Sequence, residues 1–154
     1  MNNEITNTVT FLFNRAWDSN VDNDEETDNL QAQYDELVKK YGWDKVFGAI
    51  EQYMKTNCKT SESVCNFAHL FWEYSCPCPK PISNPYEFIA YLYYFVDSKP
   101  WEYDCAEVYE GIVYNLLSNE TDYNHNPFMN PDYYPEKDPN IVSEIEKLRS
   151  KSLQ

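Results

Sequence analysis

Glycine, arginine and histidine are nearly missing from this chain. Among 154 residues there are three glycines, Gly42, Gly48 and Gly111, two arginines, Arg15 and Arg149, and two histidines, His69 and His125. Scarce glycine argues against tight β-hairpins and against phosphate-cradling loops, since both draw on its positive φ. Two arginines leave almost no bidentate grip for a phosphate or carboxylate substrate. No stretch is long and apolar enough to span a bilayer, and the first residues, MNNEITNTVT, have neither the basic start nor the apolar run of a signal peptide. A cytoplasmic protein with no membrane partner is the expectation. No phosphate loop, nucleophile elbow or HExxH pattern is present, and a non-enzyme is expected.

Acid and aromatic side chains are what the chain has in plenty. Lys and Arg total 12 against 26 Asp and Glu, a formal charge of -14, and aromatic residues make up 17 %. Such a surface repels nucleic-acid phosphates and attracts basic proteins, so the expected partner is a basic protein and nucleic acid is not a direct ligand. The length fits one domain with its own core.

The segment 84–96, NPYEFIAYLYYFV, is apolar or aromatic from Tyr86 to Val96 at every position except Glu87. A helix hydrophobic all round belongs in the middle of a bundle. Asn84 is placed to cap it, Pro85 suits its first position, and Glu87 stands at capping-box spacing. Around it, helical stripes recur: Ile5, Val9, Leu12, Phe13 and Ala16, where alternating threonines leave a strand as the alternative; then Leu30, Tyr34, Leu37, Val38 and Tyr41. Gly42 is a natural stop before Trp43, Val46, Phe47, Ile50, Tyr53 and Met54, making a helical hairpin. A fourth helix from Thr60 or Ser61 to Ser75 carries Val64, Phe67, Leu70, Phe71 and Tyr74; a sixth near Asp104 carries Tyr109, Ile112, Val113 and Leu116; a last begins at Asp138-Pro139 with Ile141, Ile145 and Leu148. The fold expected is all-α, a single-domain irregular helical bundle of about seven helices built from antiparallel helix hairpins. Residues 19–28 read as a linker and acidic first turn, with an acidic docking patch as the sharper alternative.

Two places invite a functional reading. Cys65, His69 and Cys76 share a face of the fourth helix, and Cys78 follows, which is a zinc-type donor set. Helical rise separates His69 from Cys76 by about 10 Å, so packing is the favoured account of these residues. Five cysteines without framework spacing are expected to be reduced thiols. The second place is residues 118–139, a long connection holding Tyr123, Phe128, Met129, Tyr133 and Tyr134 among Asp132, Glu136 and other acids. Its aromatics either pin it to the helices or anchor a partner. The function expected is an acidic protein-interaction module, of inhibitor or immunity type. The alternatives are a nucleic-acid mimic that occupies a DNA- or RNA-binding protein, and a small metal-binding domain using the cysteines and His69.

Overall fold

The computed structural model describes residues 3–18, 24–75, 78, 84–95, 103–117 and 130–152. Among these residues seven α-helices pack against one another: α1 (Asn3–Asp18), α2 (Asp24–Tyr41), α3 (Trp43–Asn57), α4 (Ser61–Ser75), α5 (Pro85–Tyr94), α6 (Tyr103–Leu117) and α7 (Pro139–Ser152), with a short 3₁₀ turn at Pro135–Lys137 before the last. No strand occurs among the described residues, and the fold is all-α. The threonines of α1 do not make it a strand; Thr10 instead bonds back to the Thr6 carbonyl at 2.8 Å, inside the helix.

The apolar stripes fall where helical spacing puts them. Ile5, Val9, Leu12, Phe13 and Ala16 are buried, as are Leu30, Tyr34 and Leu37, while Val38, Leu70, Ile145 and Leu148 sit at the edge of the core. The α2–α3 corner turns on Gly42 alone. Its φ of +87° is a conformation that other residues adopt only with strain, and its N–H closes α2 onto the Val38 carbonyl at 2.8 Å. At the start of α4, Thr60 is the capping residue, its Oγ1 accepting the Ser63 N–H at 3.1 Å.

α5 takes the position its composition demands. Phe88, Ile89, Ala90, Tyr91 and Leu92 are buried in succession, so no side of the helix is left to water over these residues. Phe88 is the hub: its ring centroid lies 5.0 Å from Phe47, 4.8 Å from Phe71 and 6.3 Å from Phe67. Phe13 extends the cluster to α1, 5.2 Å from Phe67. Aromatic rings from α1, α3, α4 and α5 therefore form one continuous centre.

The start of α5 departs from expectation. Asn84 adopts a left-handed conformation, φ 48°, and makes no capping bond. Its Nδ2 instead donates to Glu87 at 3.4 Å, and the other oxygen of Glu87 takes Lys55 from α3. An interhelical ion pair has claimed the acid that a capping box would have used. Glu87 is held below its ordinary pKa chiefly by that lysine.

Candidate interaction surface

The described part of the long connection, residues 130–138, is a turn whose 3₁₀ segment packs against α7, with Tyr133 against the core. Asn130 starts it, its Oδ1 accepting the Asp132 N–H at 3.0 Å. Tyr133 is half-buried and donates its phenolic hydrogen to Asp138 Oδ2 at 3.0 Å. Asp138 is itself buried, and its other oxygen accepts the Asn140 N–H at 3.0 Å, capping α7. Pro135 is buried too. Tyr133, Pro135 and Asp138 thus pin the segment, and pinning is the role of Tyr133 here.

Tyr134, Asp132 and Glu136 point the other way. Tyr134 is 50 % exposed, with both carboxylates also exposed on either side of it in the chain. The ammonium of Lys137 sits 5.0 Å above its ring, a cation–π contact made within the turn. The remaining aromatic candidates, Tyr123, Phe128 and Met129, lie outside the described residues, as do residues 19–23 of the acidic linker.

Glu136 also links the turn to α6. Glu110 has its pKa raised by burial first, then by the charges of Glu136 and Glu107. The charges of one acid on α6 and one on the turn thus both act on Glu110, and α6 contains no Lys or Arg to offset them. The phenol of Tyr93, beneath them, is pushed far up by burial, with Glu136 and Glu110 adding to it.

At the other border of this patch, α6 meets α4 through a contact that residue spacing did not single out. A Cβ added to Gly111 would lie 2.3 Å from Cζ3 and 2.6 Å from Cη2 of Trp72, so the indole rests directly on the α6 backbone. Glycine within a helix costs about 1 kcal/mol relative to alanine, and here it makes room for that ring. Trp72 nevertheless stays 41 % exposed on its outer side, and Tyr114, three residues beyond Gly111, is 37 % exposed. The signal available in the sequence was a glycine in the middle of an otherwise bulky helical pattern.

The zinc-type donors are not assembled. Cys65 is disulfide-bonded, contrary to the expectation of reduced thiols, and its sulfur is no thiolate ligand. Cys78 is a buried thiol outside any disulfide, His69 is half-buried, and Cys76 lies outside the described residues. Among the described residues no group of three or more His, Cys, Asp or Glu side chains is arranged to hold a metal ion. No helix among them is long and apolar enough to cross a membrane.

The shifted carboxylates set a pH dependence of stability. Glu51 is raised by burial, against the lowering effect of Lys55, and Glu110 is raised as described. Acids whose folded pKa is raised bind protons more readily when folded. Their contribution is therefore fully present at low pH and is lost as pH rises through the folded values. Glu87, whose pKa is lowered, contributes in the opposite sense, and its share is lost only as pH falls below the ordinary carboxylate range. Self-repulsion at a net charge of -14 also eases on acidification. The urea midpoint is expected to rise as pH falls from neutral toward the ordinary carboxylate range and to fall below that range, with Glu110→Gln flattening the rise. A midpoint falling steadily from pH 7 downward contradicts the assignment.

No family model, no curated protein and no solved structure matches the chain.

Proposed function

We propose that the protein binds a basic protein through the acidic aromatic face formed by residues 130–138 and α6. The observation that carries this reading is the convergence of Glu107, Glu110 and Glu136 beside an exposed Tyr134 on a turn whose backbone is already pinned. A pinned turn loses little conformational freedom on binding, so its tyrosine acts as an anchor at low entropic cost. Acids around an aromatic centre match the usual interface plan of a packed core within a charged rim. An arginine or lysine of the partner takes the place of Lys137 over the Tyr134 ring. Covering a basic functional surface in this way blocks it, and inhibitor-type action is the form of the reading we adopt.

The test is affinity capture from a lysate of the source cell, with nuclease present, at low and high salt. A basic protein retained at low salt and released at high salt is expected. Against that partner, Tyr134→Ala, and Asp132→Lys combined with Glu136→Lys, each weaken binding roughly ten- to thirtyfold. Unchanged affinity in both variants rules out residues 130–138 as the contact.

A further inference from the structure

We infer that Trp72, seated on Gly111 and bordered by Tyr114 and Glu107, is a receiving site for an arginine side chain of a basic protein segment. The inference rests on the reading of the adjoining face as the docking surface, and it assigns a second contact and its chemistry.

Three observations lead to it. The first is the seat. The six-membered ring of the indole sits against α6 because residue 111 has no Cβ; one would come within 2.3 Å of it. A ring seated against a helix backbone and still 41 % exposed is a fixed platform, whereas an unsupported surface tryptophan would be free to change rotamer.

The second is the fate of the chain's own cations. Two tyrosines already carry a lysine of the chain itself: Lys40 lies 5.2 Å from the centre of Tyr41 and Lys137 lies 5.0 Å from that of Tyr134. Trp72 presents the strongest cation-binding face of any side chain. Yet α4, SESVCNFAHLFWEYS, and α6, YDCAEVYEGIVYNLL, hold no lysine or arginine between them. Among the described residues no lysine or arginine stands over this ring, which leaves its exposed side open to a cation from a partner.

The third is the charge around the ring. On α6, Glu107 and Tyr114 lie on the same side of the helix as Gly111, one turn before and just under one turn after it. Along the axis that places them about 6 Å and about 4.5 Å from Gly111, on either side of the indole. Glu107 is exposed, and Glu73 follows Trp72 on α4 and is exposed as well. The charge of Glu107 is felt at Glu110 together with that of Glu136, so both act on the same stretch of α6. A guanidinium stacked on the indole can extend its N–H edge to the Glu107 carboxylate while its flat face stays on the ring. An ammonium has no planar face to stack and binds less well. Arginine is the occupant that uses both features.

The experiment is an NMR titration of the full chain at low salt, following the indole Nε1–H of Trp72, assigned by its loss in Trp72→Phe. The probes are a short Gly/Ser peptide carrying arginine, its lysine counterpart and its citrulline counterpart, which keeps the shape of arginine without the charge. The Trp72 signal is expected to shift with the arginine peptide, several-fold more weakly with lysine, and not with citrulline. Glu107→Gln is expected to weaken the arginine response by about fivefold to tenfold without altering the fold. Gly111→Ala, which unseats the ring, abolishes the response even though Trp72 remains. An equal response to citrulline overturns the inference in favour of simple apolar docking. Concentration-dependent changes at Trp72 without peptide overturn it in favour of a second copy of this chain. If the arginine peptide perturbs Asp132, Tyr134 and Glu136 but leaves Trp72 unmoved, this inference fails and the docking reading stands. If neither region responds, both fail.

Discussion

Phe88→Ala is expected to destabilise the protein by about 3–5 kcal/mol, enough to lower Tm by roughly 8–15 °C in a domain of this size. The side chain is fully buried, and three other phenylalanines pack on it, Phe47 from α3 and Phe67 and Phe71 from α4. Truncation removes its own transfer free energy and leaves a void walled by rings from two other helices, α3 and α4. Such walls relax poorly, because movement of one ring toward the void opens space behind it. Phe88→Leu, which keeps most of the volume, should cost about 1 kcal/mol. Phe11→Ala provides the contrast: Phe11 is 54 % exposed on α1, and its loss should stay within about 0.5 kcal/mol. Equilibrium urea unfolding monitored by circular dichroism measures all three. A loss below about 1 kcal/mol for Phe88→Ala would mean that α5 does not occupy the centre of the bundle.

Reduction of the protein is expected to cost about 2–4 kcal/mol, because the disulfide at Cys65 restrains the unfolded chain. The bond uses two of the five cysteines, so thiol titration of denatured, unreduced protein should find three reactive groups, and five after reduction. In the native state Cys58 should react slowest of the described thiols. Its side chain is completely buried, and burial pushes its thiol up to about 11. A structural disulfide of this kind belongs with an oxidising compartment, whereas cytosolic thiol buffers keep most cysteines reduced. Five thiols in protein isolated from its own cells without reductant would restore the sequence expectation for Cys65.

What could be read from the chain, and what could not, divides along the range of the interactions involved. The stripes on α1, α2 and α3, the break at Gly42 and the all-round apolarity of α5 are set by residues within one or two turns of each other. Helical spacing reveals these directly. The Asn84 cap was misread because Glu87 is drawn to Lys55, 32 residues earlier in the chain, and a local motif contains no trace of that competitor. The seat of Trp72 on Gly111 is of the same kind, since it depends on two segments meeting. Within the long connection, sequence placed aromatic and acidic residues together without sorting them. Tyr133 packs inward because its hydroxyl finds the buried Asp138, and Tyr134, one residue on, is left facing outward. The convergence of Glu107, Glu110 and Glu136 needed the fold, because the last of them is 26 residues beyond Glu110 in the chain.

The central claim is that one acidic face, running from Tyr134 across α6 to Trp72, is where a basic protein docks. Zero-length carbodiimide cross-linking of the complex with the captured partner, followed by peptide mass spectrometry, tests it most directly, since such links form only between a carboxylate and an amine already in contact. The account predicts links from partner lysines to Glu136, Asp132 and Glu107, all exposed on this face. Links confined to Glu25, Asp28, Asp35 and Glu36, exposed acids of α2, would contradict it and move the docking surface to the opposite part of the sequence.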